Sequence, residues 1–223
     1  MEKLNIYGDV FTMTSGSHGS DIASQRMDEL DKMSLKQVCD VQDAKVLDIG
    51  CGLGAQSVRF AMLGARVSAV DIVDSEQTIK NHLVLLGLKD NAVAFYKKDI
   101  FSYMNNCSEL YNIIYSQRFI HYLPYQEALM LADNLYHHLE EDAYVFISAS
   151  GMSSELSIGY DPADSIVKRF SKLESRMAQK HGILEPVCLY YKEELDELFA
   201  KVGFSTVSLW TSSFGNVKAV FRK

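Results

Sequence analysis

Several signals that would assign the chain to particular protein classes are missing from its sequence. Its four cysteines form no Cys-x-x-Cys pair, and with the histidines they show no spacing typical of a metal site. No apolar run approaches the ~20 residues that a membrane helix needs, and residues 1–13 carry charges and lack the apolar core of a signal peptide. The expectation is a protein with reduced cysteines in the cytoplasm, with no bound metal and no membrane association.

Positive charge is also scarce. The 22 Lys and Arg residues stand against 29 Asp and Glu residues, so the formal net charge is -7. The adjacent basic pairs at 97–98 and 168–169 are too short to form a basic patch. Because an acidic chain repels a phosphate backbone, nucleic acid is an unlikely partner.

The hydrophobic pattern predicts an α/β fold. Short apolar segments alternate with helical segments from residue 45 onward, which is typical of a parallel sheet covered by helices on both faces. The predicted strands are 45–49, 66–71, 93–96, 111–115, 143–148, 204–210 and 217–221. Only six residues separate the last two strands. That gap is too short for a crossover helix, so the two strands should form an antiparallel hairpin.

The whole chain, 1–223, is predicted to be one domain with two additions. Residues 1–41 should form a flexible segment, rich in small polar residues at 12–20, followed by a helix that Ser20 or Asp21 caps. Residues 151–191 lie between the fifth strand and the last helix, and they are too numerous and too apolar for a simple connection.

Residues 46–54, VLDIGCGLG, carry the strongest functional signal. A strand runs into three glycines at alternate positions and then into a helix, so a ligand can lie against a backbone without Cβ atoms. A dinucleotide motif is spaced G-x-G-x-x-G, whereas the third glycine here comes one position earlier. Asp48 would also repel a pyrophosphate, but it suits an ammonium group.

At these residues the sequence resembles the class I S-adenosylmethionine-dependent methyltransferases, whose first motif is an acidic residue, any residue and then G-x-G-x-G. The resemblance implies a doubly wound, seven-stranded, mostly parallel sheet of order 3-2-1-4-5-7-6 with the last strand antiparallel. It also implies that Asp48 helps to hold the amino group of the cofactor. The methionine part would lie against the loop residues Gly50, Cys51, Gly52 and Gly54.

Further positions complete the expected cofactor site. Asp71 ends the second strand, where a carboxylate accepts hydrogen bonds from both ribose hydroxyls, and Ile72 follows it. Asp71 alone would fit NAD equally well. The resemblance implies that Asp99 bonds the adenine amine, that the backbone of Ile100 bonds the adenine ring, and that Gln117 lies at the methionine end.

The substrate side is expected around His121, which follows the fourth strand. An unperturbed histidine titrates near neutral pH, so His121 is the candidate for a catalytic base. The insertion 151–191 is predicted to be a substrate lid, with Ile166, Phe170, Leu173 and Met177 on one face of a helix. Candidate substrate contacts are His18, Tyr160, Phe170 and Tyr190. The alternative interpretation of the insertion residues is a small secondary core.

The leading hypothesis is therefore methyl transfer from S-adenosylmethionine to a small molecule by direct in-line displacement. Three alternatives remain: a methyltransferase that acts on protein or RNA, a non-catalytic S-adenosylmethionine-binding partner subunit, and a nicotinamide oxidoreductase. The acceptor atom (O, N, S or C) and the oligomeric state stay open at this stage.

Overall fold

A seven-stranded sheet forms the centre of the computed structural model, which describes residues 18, 19 and 26–223. The strands are β1 (Lys45–Ile49), β2 (Arg66–Asp71), β3 (Val93–Lys97), β4 (Tyr111–Gln117), β5 (Leu139–Ala149), β6 (Ser205–Thr211) and β7 (Val217–Arg222). Their order is β3-β2-β1-β4-β5-β7-β6. All neighbours pair in parallel except β7, which is antiparallel to both β5 and β6. The predicted topology and the terminal hairpin are confirmed.

Helices cover both faces of this sheet. They are α1 (Glu29–Cys39), α2 (Ala55–Met62), α3 (Glu76–Leu85), α4 (Ile100–Met104), α5 (Tyr125–His137), α6 (Ser175–His181) and α7 (Lys192–Ala200). One buried cluster joins the sheet to α1, α2 and α3, and a second joins it to α4, α5 and α7. Successive strand residues alternate between the two clusters, as Val46 and Leu47 do, because neighbouring side chains on a strand point to opposite faces.

In the described part of the chain, the first helix begins at Glu29. Asp28 is its N-cap, and one carboxylate oxygen of Asp28 accepts the N–H of Leu30 at 2.8 Å. The caps predicted at Ser20 and Asp21 lie outside the described residues, as does nearly all of the segment 12–20 that was predicted to be flexible.

The insertion contains less helix than expected. Ile166 lies in a 3₁₀ turn, and the next helix, α6, begins only at Ser175. Between them Ser171 pairs with Val187 in an isolated bridge, which holds the chain extended. The prediction of one helical face shared by Ile166, Phe170, Leu173 and Met177 is therefore wrong. The first two side chains pack on the core with α5 and α7, and the last two join a separate cluster within the insertion.

No helix in the described part of the chain is long and apolar enough to cross a membrane.

Candidate active site

The glycine loop leaves β1 with a backbone that glycine favours. Gly50, Gly52 and Gly54 have φ angles of +65°, +56° and +78°, a region in which a Cβ atom is strained. A Cβ on Gly50 would also lie 2.9 Å from the Phe119 ring, and a Cβ on Gly54 would lie 2.3 Å from Ile79 of α3. Gly54 is therefore needed for the packing of α2 against α3.

Most amide groups of this loop already have partners in the protein. The N–H groups of Gly50 and Cys51 donate to the carbonyl of Val70, at 2.9 and 3.3 Å, and the N–H of Gly54 donates to the carbonyl of Cys51 at 2.9 Å. A pyrophosphate needs N–H groups that point freely at it. The loop therefore fits a ligand that lies against its backbone better than it fits a dinucleotide.

Asp71 joins the loops that follow β1 and β2. One of its carboxylate oxygens accepts the N–H of Gly52 and the other accepts the N–H of Val73, each at 2.9 Å. Burial raises the pKa of Asp71. The backbone N–H of Ile72 also interacts with this carboxylate. Since the two oxygens together offer about four acceptor sites, acceptor capacity remains for a further donor. This pair of oxygens matches the two adjacent hydroxyls of a ribose.

Asp48 lies beneath the glycine loop at the end of β1 and is 2% exposed. The hydroxyl of Ser57, on the first turn of α2, donates to its carboxylate at 2.5 Å. Ser57 is fully buried. Ser57 lies only three positions after Gly54, the last glycine of the motif. The sequence analysis missed Ser57, although its closeness to the motif made it a candidate.

The residues after β3 form the beginning of a short helix. Asp99 is the N-cap of the short helix α4, and one of its carboxylate oxygens accepts the N–H of Ser102 at 2.9 Å. Ile100 is buried directly after it. Both residues line the same cavity as Asp71, and so does Ile72, which is half-exposed at the end of β2.

Gln117 is the last residue of β4. It belongs to a polar cluster with Asp28 and Lys218, two residues that the sequence analysis missed. Its side-chain amide donates to the carboxylate of Asp28 at 2.7 Å, and the Lys218 ammonium lies 2.5 Å from the same oxygen. Lys218 is 6% exposed, although it is a lysine on β7. Asp28 therefore ties α1 to two strands of the sheet at the edge of the cavity.

A buried hydrogen bond between Tyr115 and Asp31 lies beside the contact of Gln117 with Asp28. The Tyr115 hydroxyl donates to the carboxyl group of Asp31, and the other oxygen of that carboxyl accepts the N–H of Asp28 at 2.6 Å. Asp31 is 1% exposed, and burial raises its pKa. These contacts hold the first turn of α1 next to the cavity, which Tyr115 and Gln117 line.

His121 lies in the 3₁₀ turn that follows β4, and its side chain is buried. Burial, reinforced by the positive charge of Arg118 and by His18, lowers its pKa to about 3. The ring is therefore neutral at neutral pH and is a weak proton acceptor. This differs from the near-neutral base that the sequence analysis proposed, because the proposal assumed an unperturbed ring.

The insertion supplies one wall of the cavity. Glu155, in a 3₁₀ turn after β5, accepts from Lys180 at 2.5 Å and contacts His181 at 2.9 Å, and these two residues end α6. All three line the cavity. The backbone of His18 pairs with that of Ile183 just beyond α6. The short N-terminal piece at residues 18 and 19 thus lies along the same wall.

Tyr122 also joins these parts and was missed by the sequence analysis. Its hydroxyl donates to the carbonyl of His18 at 2.6 Å, and the two rings meet edge to face at 4.9 Å. Burial raises the pKa of Tyr122. The tyrosine follows His121 directly, so the sequence placed it in the right segment without showing which way it faces.

The glycine loop, the residues after β2, β3 and β4, and the insertion meet around one cavity of about 350 Å³, which lies at the carboxyl ends of the parallel strands. The candidate residues in its lining are His18, Asp48, Gly50, Cys51, Gly52, Asp71, Ile72, Asp99, Ile100, Gln117 and His121. Gly54 lies outside the lining, behind the loop.

The three aromatic residues proposed as substrate contacts do not line this cavity. The Tyr160 hydroxyl lies 2.9 and 2.8 Å from the carbonyls of Ser171 and Val187, which places it inside the insertion. Phe170 packs against the main core, and Tyr190 is fully buried within it. The sequence pattern identified Phe170 as an apolar position and Tyr160 and Tyr190 as its flanking aromatic residues, but it did not distinguish core packing from cavity lining.

Residues 20–209 match the protein family described as "Methyltransferase domain". No curated protein sequence matches the chain significantly. The chain belongs to this methyltransferase family, and it is an S-adenosylmethionine-dependent methyltransferase.

Several solved methyltransferase structures share the fold. One from Clostridium acetobutylicum is 12% identical, with a TM-score of 0.65 over 90% of this chain and 94% of that one. Magnesium protoporphyrin IX methyltransferase from Synechocystis, crystallised with S-adenosylhomocysteine, is 16% identical (TM-score 0.63; 87% and 81%). The 1,6-didemethyltoxoflavin-N1-methyltransferase from Burkholderia thailandensis is 17% identical (TM-score 0.63; 87% and 78%). At these identities the likeness shows the fold alone.

Proposed function

We propose that this methyltransferase acts on a small molecule that binds beneath the insertion 151–191. The observation that carries the proposal is that one cavity contains both the residues suited to the cofactor and a wall built from the insertion. An acceptor in that cavity would be enclosed on one side by Glu155 and α6 and on the other by the ends of β1 and β4. Two of the solved methyltransferases act, by their names, on small molecules.

The residues present fit S-adenosylmethionine. The remaining acceptor capacity of Asp71 suits the ribose, the glycine loop with Asp48 suits the methionine part, and Asp99 with Ile100 suits the adenine. Gln117 is the further candidate at the methionine end. When bound, the cofactor supplies an electrophilic methyl group on its sulfonium sulfur. The protein needs to hold the acceptor in line with that methyl group and to keep water out.

The insertion suits these two tasks. The ion pair of Glu155 with Lys180 and the hydrogen bond of Glu155 with His181 join segments that are 25 and 26 positions apart in the chain. We propose that this wall serves as the substrate lid and that it excludes water when an acceptor is present. The proposal includes a cytoplasmic location, which is supported by a sequence with only four cysteines and no Cys-x-x-Cys pair.

A protein or RNA acceptor is less well supported. A macromolecule would need an open approach to the donor, whereas the insertion and residues 18 and 19 stand over the cavity. The net charge of -7 opposes RNA in particular.

The cofactor assignment is tested by thermal unfolding with added ligands. S-adenosylhomocysteine should raise the melting temperature because it binds only the folded state, and NAD should leave it unchanged. The small-molecule assignment is tested by a screen of acceptors with S-adenosylmethionine, with product masses measured. Turnover of peptides or RNA, and of no small molecule, would contradict it.

The role of Asp71 is tested by calorimetry with S-adenosylhomocysteine. Asp71→Asn should weaken binding by about 1–3 kcal/mol, because one oxygen that accepts two hydrogen bonds is replaced by an amide group. Asp74→Asn is the matched control. The Asp74 side chain is 60% exposed in the same loop, so we expect this variant to bind S-adenosylhomocysteine with unchanged affinity. Equal affinities for the two variants would remove Asp71 from the site.

A further inference from the structure

The backbone of His121 is fixed between two parts of the fold. Its carbonyl accepts the N–H of Cys188, in the extended segment after α6, at 2.7 Å. The ring packs against Tyr122 with centroids 4.3 Å apart. The histidine is 1% exposed, yet it belongs to the cavity lining. The ring therefore has one defined position at the boundary between the sheet and the insertion.

The hydrogen bonds define which ring nitrogen carries the proton. Nδ1 of His121 lies 3.4 Å from the backbone N–H of Ser150, at the end of β5. Because a backbone N–H only donates, Nδ1 must be the unprotonated nitrogen, and in a neutral ring the proton then lies on Nε2. Nε2 is buried and has no hydrogen-bond partner among the described residues.

A buried donor without a partner is rare in folded proteins. Here it belongs to a cavity-lining residue of a methyltransferase, where a bound molecule can supply the missing acceptor. The charged and titratable groups beside the ring are Arg118, Tyr122 and His18. Arg118 makes it unfavourable for the ring to gain a proton and, for the same reason, favours an oxygen that carries negative charge.

We propose that the Nε2–H group of His121 holds the methyl acceptor by donating a hydrogen bond to one of its oxygen atoms. The acceptor would accordingly be a small molecule with a carbonyl or carboxylate oxygen. In this role His121 orients the substrate and removes no proton from it. The inference rests on the proposed function, and it names the substrate class for the same site.

The tautomer is tested first, without any substrate. Nitrogen-15 NMR of histidine-labelled protein, in complex with S-adenosylhomocysteine, should show His121 as the neutral Nε2–H form. Its shifts should stay constant between about pH 5 and pH 8. A proton on Nδ1, or titration near neutral pH, would overturn the inference and restore the catalytic base.

The role in turnover is tested with acceptors that the mass screen identifies. His121→Leu should lower kcat/KM about 10- to 100-fold through the loss of one buried hydrogen bond, with unchanged affinity for S-adenosylhomocysteine. His121→Gln places an N–H near the position of Nε2, and it should recover most of the activity. His137→Gln is the control, because that side chain is 69% exposed on α5.

Normal turnover by His121→Leu would overturn the inference, as would an acceptor that contains no oxygen. Equal loss of activity in the Leu and Gln variants would do the same, because the donor would then not be the relevant property. Failure of S-adenosylhomocysteine to bind the unmodified protein would instead contradict the cofactor assignment. The two proposals therefore fail in distinguishable ways.

Discussion

A buried ion pair joins the insertion to the core, in addition to their apolar contacts. Arg169 is 4% exposed, and both of its terminal nitrogens lie 2.7 Å from the carboxylate of Glu194 on α7. The same guanidinium donates to the carbonyls of Leu189 at 3.1 Å and Asp164 at 2.9 Å. Such a two-pronged contact is a strong form of charged hydrogen bond. Arg169→Met removes all four bonds and leaves a partly buried carboxylate.

The expected loss follows from this geometry. Removal of one partner of a buried ion pair costs about 3–5 kcal/mol. Glu194 is 21% exposed and keeps the N–H of Tyr191 at 2.8 Å, so the lower end, about 3 kcal/mol, applies. In a chain of this length that loss lowers the melting temperature by about 6–12 °C. Urea unfolding and calorimetry measure the two quantities.

An exposed ion pair supplies the control. Arg222 and Asp142 also lie 2.7 Å apart, but their side chains are 46% and 78% exposed. Arg222→Met should cost less than about 1 kcal/mol, as exposed pairs do. The double variant Arg169→Met with Glu194→Met should be more stable than Arg169→Met alone, because no charge is left unpaired. Similar losses for Arg169→Met and Arg222→Met would refute the reasoning.

Two further predictions concern the glycine loop and His121. Gly54→Ala should lower the free energy of unfolding by more than about 1–2 kcal/mol, the cost of a left-handed residue alone, because the new Cβ would lie 2.3 Å from a side chain of α3. Gly87→Ala is the control, since its φ is +69° and no atom lies within 4 Å; equal losses in urea would show that the α3 contact relaxes freely. The unfolded chain protonates His121 near pH 6.5 and the folded chain only at about 3. Between these values the unfolded state binds more protons, so acidification should reduce stability by about 1.4 kcal/mol per pH unit from this group. In His121→Gln the fall between pH 6 and 4 should be shallower, and identical slopes would contradict the lowered pKa.

The sheet and its cofactor loop were predictable because their signals are local. A strand such as 45–49 is defined by a few consecutive apolar residues, and the conformation of Gly50 and Gly52 by the absence of a Cβ atom. The six-residue gap between the last two strands restricted them to a hairpin, and the structure confirms it. Parallel strands place their carboxyl ends at one edge of the sheet, so the sequence alone predicts that Asp48 and Asp71 lie near each other.

Other features depended on contacts between distant segments. Gln117 meets Asp28 across 89 positions of the chain, and Tyr115 meets Asp31 across 84. No periodicity relates such pairs, so these polar contacts beside the cavity could not be predicted from the sequence. The apolar spacing from Ile166 onward suggested one helix, but the pairing of Ser171 with Val187 divides that segment.

The sequence by itself determined the fold class, the strand order that the motif implied, and the residue types at the cofactor loop. The tertiary structure decided the state of His121. Its identity as a histidine indicates a group that titrates near neutral pH, but burial beside Arg118 lowers the pKa, and the N–H of Ser150 selects the tautomer. Protonation depends on the local dielectric and on neighbouring charges, and these exist only once β4, β5 and the insertion have come together.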